Sequence, residues 1–333
     1  MASLSTNENT PMNSPSPRNI LRSQHVVQCD CDIQRLPFIK RYLTFATKSQ
    51  ITSCWKVQEW LKYLNFPRDA ENVYHNLLRS SLDLQEFSNS VRQIELDLKR
   101  TYPDEVYFNT KEGEDSLRRV LVAYCKYDPN LGYVQGMNYI VGALLWHCTE
   151  VDAFWIFVGL MEKHELRDTY LPSFPGLSKH CQIIQLLTLE QLPNLHRHFA
   201  QFDVQCRMYA TEWCFSLFGS VVPANEMVTV LDNFFQKGWI FFYKFVIYIL
   251  KRLEKQLLEA NDLADIIMPL KICHKSQREW KDFLLLLDNG RRSLTWEIMM
   301  NEVSEIVIDE DYIRYLHLHF DLDKAQFVSK RSN

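Results

Sequence analysis

The sequence predicts an all-α fold, and three observations carry that prediction. The 333 residues contain only 9 glycines and 12 prolines, roughly half the average usage of about 12%, which disfavours turn-dense β architectures. Apolar residues recur with a helical period along the length of the chain, and no alternating pattern bounded by hairpin turns and no fixed-period repeat interrupts them. Hydrophobic residues make up 47% and aromatics 13%, enough side-chain material for one large core or two lobes sharing a boundary.

Residues 1–24 are a Ser/Asn/Pro mixture with almost nothing to bury, and are expected to form a disordered tail. In "KVQEWLKYL", Val57, Trp60, Leu61 and Leu64 fall at i, i+3, i+4, i+7, and "SLRRVLVAY" repeats the pattern with Leu117, Val120, Leu121 and Tyr124. Both predict helices with a single buried face. The run from Met137 to Trp146 is apolar almost all round, as is "AFWIFVGLM" from Ala153 to Met161, so both are expected in the middle of the fold. Pro172, Pro175, Pro193, Pro223 and Gly238 then divide the chain into pieces of about one helix each. After Pro269 two amphipathic pieces flank the turn "DNGRR". The expected division is therefore the tail, a helical domain over 25–270 and a helical extension over 271–333. Whether that extension packs on the domain or hangs from it is left open.

Composition excludes several function classes. A net charge of −4 with dispersed Lys and Arg lacks the basic footprint that a phosphate backbone requires, so nucleic acid is not expected as a partner. Nine cysteines, an odd number scattered through apolar segments, read as reduced core thiols of a cytoplasmic protein. The N-terminus shows no signal region, and the greasiest stretch, "GWIFFYKFVIYIL", is 13 residues interrupted by Lys244, too short to span a bilayer. The C-terminal "KRSN" carries no prenylation box, so any membrane contact is expected to be peripheral.

No metal is expected. His25, Cys29 and Cys31 lack paired zinc-ligand spacing, while His196/His198 and His317/His319 lie two apart and diverge on a helix. "DLDKAQF" opens like a calcium loop but has Gln326 where the turn glycine belongs. No phosphate-binding loop, nucleophile elbow or HExxH helix occurs, so the chain shows no self-contained active site.

Two stretches remain. In "IELDLKRTYPDE", Ile94, Asp97 and Arg100 fall at i, i+3, i+6 before Pro103, placing Arg100 on the last turn or exit loop of a helix. Taken alone, such an arginine more often satisfies terminal carbonyls and the negative end of the helix dipole, with Asp97 as its ion-pair partner. In "GYVQGMN", Gln135 stands between Gly132 and Gly136 at the mouth of the apolar helix. It could simply cap that helix, but the glycines remove side chains beside it, as a close approach by another surface would require.

Together the two stretches resemble the TBC-domain family of Rab GTPase-activating proteins: "IxxDxxRTYP" followed by "LRRVLVAYCKYDPNLGYVQGMNYIVGALL", then "AFWIFVGLM", "LPNLHRHF", "YATEWCFSLFG" and "LDNFF". The likeness runs from about Ser81 to Leu250. It departs upstream, where Trp55 and Trp60 come without a clear arginine, and at Leu231, where the family usually has tryptophan. The resemblance implies a large multi-helix TBC domain without significant β-sheet. It implies that Arg100 and Gln135 are two catalytic fingers inserted into the nucleotide site of a GTP-bound Rab, with Asp97 and Tyr133 supporting them. The forked guanidinium would neutralise developing phosphate charge, and the carboxamide, offering both an acceptor and a donor, would orient the attacking water. Trp213 also matches a family aromatic, although core packing explains it as well. No cofactor of the chain's own is implied, since Mg²⁺ and GTP belong to the Rab, and the chain would act in vesicle traffic at endomembranes. A non-catalytic, TBC-shaped scaffold or Rab-binding adaptor is the alternative.

Overall fold

A computed structural model describes residues 55–64, 67–80, 88–271, 277–291, 293–318 and 320. The expected tail, the His25, Cys29, Cys31 group, His319 and "DLDKAQF" lie outside the described residues. Every regular element among the described residues is helical. In order these are α1 (Trp55–Tyr63), α2 (Ala70–Arg79), α3 (Ser88–Leu98), a 3₁₀ turn (Val106–Asn109), α4 (Lys111–Tyr127), α5 (Met137–His147), α6 (Glu150–Lys163), α7 (Leu166–Tyr170), α8 (Pro175–Gln191), α9 (Pro193–Gln201), α10 (Arg207–Ser216), α11 (Met227–Lys237), α12 (Trp239–Glu259), α13 (Leu263–Ile267), a second 3₁₀ turn (Met268–Leu270), α14 (Gln277–Leu287) and α15 (Trp296–Glu305). Residues 310–318 form one more helical stretch.

The helix boundaries follow local chemistry. The Thr110 side chain accepts a hydrogen bond from the Gly113 amide at the start of α4, Glu112 and Glu114 occupy its positive end, and Lys126 closes its last turn. Thr149 caps α6 in the same way, accepting from the Asp152 amide. Pro175 and Pro193 open α8 and α9, where the missing N–H costs nothing.

Two helices form the spine. The first is α5, whose residues are buried on every side except at Tyr139, with α4 and α6 packed along it. Leu117, Val120, Leu121 and Tyr124 on α4, and Ala153 to Met161 on α6, supply the facing surfaces, as their periodicity predicts. The second is α12, against which α8, α9, α11, α14 and α15 all pack. The described part of the C-terminal extension is therefore docked on the domain. Trp296 lies against Phe245 with ring centroids 6.2 Å apart, and Arg252 and Tyr248 of α12 both bond Glu302. No described helix is long and apolar enough to cross a membrane. Trp213 packs into the core against Tyr209, 5.6 Å between centroids, and Leu231 is fully buried.

Candidate functional site

Arg100 is positioned by the end of α3. Ile94, Asp97 and Leu98 face inward and anchor the helix, while Leu96 points to solvent. Beyond Leu98 the chain tightens, with Arg100 N–H donating to Asp97 C=O at 3.2 Å and Thr101 N–H to Leu98 C=O at 3.2 Å. Tyr102 follows in a left-handed conformation, φ 47°, held by burial of its ring and by its hydroxyl, which donates to Tyr139 C=O at 3.0 Å. Arg100 thus leaves the helix on an exit turn, as Pro103 predicts, and 46% of its side chain is exposed.

Gln135 lies in the loop that enters α5 and is exposed. It stands on the rim of a cleft of about 460 Å³ that is also lined by Tyr139, Arg207, Glu212, Phe215 and Lys271. The flanking glycines do not have the role expected of them. Gly132 has φ 67°, and a Cβ there would lie 2.7 Å from Ser90 Oγ. Gly136 has φ 110°, and a Cβ there would lie 2.6 Å from the Phe215 carbonyl oxygen. Left-handed backbone and close internal packing require these glycines, so the space they clear is filled from inside the protein.

A buried polar network joins the two segments. The Asp97 carboxylate, 1% exposed, pairs through Oδ1 with Arg100 Nη2 at 2.5 Å, and its Oδ2 accepts a short hydrogen bond from the Tyr133 hydroxyl. Burial first, and then the neighbouring carboxylate, push the Tyr133 phenol far above its ordinary value, so it remains a donor. Asn138, fully buried in the first turn of α5, accepts from the Gly136 amide at 3.0 Å and lies 3.1 Å from the Tyr133 hydroxyl. Its Nδ2 donates to Thr101 Oγ1 at 2.8 Å, and Thr101 Oγ1 donates in turn to Asp97 C=O at 2.7 Å. Tyr139 adds a third bridge, its hydroxyl donating to Arg100 C=O at 3.2 Å.

The structure therefore brings Arg100, Asp97, Tyr133 and the Gln135 loop into one hydrogen-bonded unit, with Ile94 beneath it in the core. Sequence reasoning missed Asn138, Thr101 and Tyr139. A signal for Asn138 existed: a polar side chain on a helix without a polar face must find a buried partner.

The chain matches the Rab-GTPase-TBC domain model over residues 52–258, more than half its length. It belongs to that family. Among its relatives, human TBC1 domain family member 2B is 29% identical over 292 residues, covering 82% of this chain and 30% of the relative. The Rab GTPase-activating protein eat-17 of Caenorhabditis elegans is 28% identical over 260 residues, covering 78% of this chain and 28% of the relative. The chain spans less than a third of the length of either relative. Two solved structures share the fold. The Chlamydomonas flagellar RabGAP TBC domain has a TM-score of 0.57 at 22% identity, covering 87% of this chain and 91% of that one. The Ypt/Rab-GAP domain of Gyp1p has a TM-score of 0.57 at 18% identity, covering 86% and 94%. The TBC domain of this chain is thus all-α.

Proposed function

We propose that this TBC protein accelerates GTP hydrolysis by a GTP-bound, Rab-type small GTPase, with Arg100 and Gln135 supplied in trans. The observation that carries the reading is the placement of two exposed side chains of complementary chemistry on one buried hydrogen-bonded unit. Asp97 holds one edge of the Arg100 guanidinium, which leaves its remaining N–H groups to face a phosphate. Charge on the phosphate oxygens is what phosphoryl transfer to water must stabilise, and an arginine supplied in trans contributes about 10³ to 10⁵ in rate. Gln135 accepts a hydrogen bond from the attacking water and donates one to an oxygen beside it, and a loop held by the buried network makes that orientation entropically cheap.

The chain turns over no substrate and holds no cofactor of its own in this reading. Mg²⁺ and GTP are the partner's. The protein works from the cytoplasm and reaches endomembranes through the GTPase it engages, in the service of vesicle traffic. The test is single-turnover GTP hydrolysis across a panel of GTP-loaded Rabs with wild type, Arg100→Ala and Gln135→Ala. Acceleration lost in both variants supports the reading; binding without acceleration by wild type replaces it with a scaffold.

A further inference from the structure

We infer that Thr101 and Asn138 form a clamp that makes the Arg100 turn and the Gln135 loop a single mechanical unit, so that both are positioning residues for the reaction. This rests on the GTPase-activating reading for its catalytic consequence, but not for its mechanical one.

The two segments have no backbone–backbone hydrogen bond between them, and four side-chain bridges join them. The Tyr133 bridge ends on the Asp97 carboxylate, the Tyr139 bridge on the Arg100 carbonyl, and the Tyr102 bridge on the Tyr139 carbonyl. Only the Asn138 to Thr101 bridge reaches the backbone of both loops: Asn138 Oδ1 holds the Gly136 amide, next to Gln135, and Thr101 Oγ1 holds the Asp97 carbonyl. That carbonyl also accepts from the Arg100 amide, so it is the shared anchor of the turn. Both clamp side chains are buried, Thr101 at 1% and Asn138 at 0% exposure, and neither reaches solvent or a partner. A carboxamide is required because one end must accept and the other donate. The Gly136 amide, which can only donate, fixes the orientation of the Asn138 amide.

The threonine separates clamping from packing. Its methyl group lies over Gly142 of α5, where a Cβ would come within 2.9 Å of it, while its hydroxyl makes the clamp bonds. Thr101→Val keeps the methyl and removes the hydroxyl. Thr101→Ser does the reverse.

The experiment compares wild type, Thr101→Val and Thr101→Ser by hydrogen exchange of the amides of residues 99–102 and 133–137, and by single-turnover hydrolysis with a responsive Rab. In Thr101→Val exchange should quicken in both segments together, and saturated acceleration should fall about 10- to 100-fold with the half-saturating concentration within about twofold, as expected for misplaced catalytic groups. Gln135→Ala should cost less in that background than in wild type. Thr101→Ser should lose thermal stability through the missing methyl yet keep wild-type exchange and activity. Quickened exchange in one segment alone, equal activity in both variants, or full additivity with Gln135→Ala overturns the clamp. If wild type accelerates no Rab, the GTPase-activating reading fails, and the exchange arm still decides the clamp.

Discussion

Two buried polar networks in this protein use similar chemistry to different ends. At the site, Asp97, Tyr133, Asn138 and Thr101 join α3 to α5 and leave Arg100 and Gln135 in solvent. At the C-terminal seam, Lys179 Nζ donates to Glu165 Oε2 at 2.6 Å, and that carboxylate lies 3.6 Å from His317 Nδ1. His317 Nε2 lies 2.8 Å from the Tyr243 hydroxyl, which lies 2.7 Å from His180 Nδ1. The seam chain ends in the core, where the His180 ring stacks on Trp239 with centroids 3.5 Å apart. Burial holds the His180 imidazole well below its ordinary value, so it is neutral there. The difference teaches that a buried network by itself registers one helix against another. It becomes a candidate functional site only where its edge carries unspent donors and acceptors into solvent.

The sharpest way to break this comparison is Arg100→Ala. It should remove about 10³-fold or more of the acceleration. Stability should fall by about 1–2 kcal/mol, because buried Asp97 loses its counter-charge, as followed by denaturant unfolding. Arg100→Lys should restore the stability better than the rate, because an ammonium lacks the fork. Gln135→Ala should cost about 10²-fold in single-turnover rate with no change in unfolding midpoint, since the residue is exposed.

An exposed apolar residue near the site sharpens the contrast. Leu96 lies four positions before Arg100 and is 61% exposed. Leu96→Asp should raise the half-saturating Rab concentration about tenfold, leaving the saturated rate and the melting temperature as in wild type, if this face meets the partner.

Variants of the seam should show the reverse pattern. Tyr243→Phe leaves His180 and His317 without their shared partner and should cost about 1–2 kcal/mol of stability, read by unfolding, with GTPase acceleration unchanged. Smallest of all is a pH effect at Glu165. The nearby His317 imidazole, reinforced by the hydrogen bond and charge of Lys179 and opposed by partial burial, holds its carboxyl down to about 2 from an ordinary 4.5. A depressed acid stabilises the fold above its unfolded value and loses that contribution as pH falls. The stability gap between wild type and Glu165→Gln should therefore be widest above pH 4.5 and close towards pH 2. Because Glu165 is half-exposed, solvent screening keeps the gap under about 1 kcal/mol.

Much of this molecule was legible before its coordinates. Val57, Trp60, Val120 and the Met137 to Trp146 run apart from Tyr139 are buried as their spacing predicts, because helical periodicity reports directly which side of a helix avoids water. Pro175, Pro193 and the turn at residues 288–291 mark helix boundaries where predicted, since backbone restrictions are local properties of the residue. Arg100 and Gln135 stood out by motif and chemistry. The roles of Gly132 and Gly136 were not legible, because the surfaces that demand them, Ser90 and Phe215, are 42 and 79 positions away and leave no mark on the loop's own sequence.

The sequence by itself determined the helices, the two spine segments, the family resemblance and the two candidate fingers, all of which follow from periodicity, backbone preference and motif order within short windows. Only the tertiary structure decided that Asn138 meets Thr101 across 37 positions, that the described C-terminal helices dock on α12, and that His317 closes a seam with Tyr243. Hydrogen bonds between distant segments depend on where whole helices cross, and that crossing is set by the sum of core packing rather than by any local pattern.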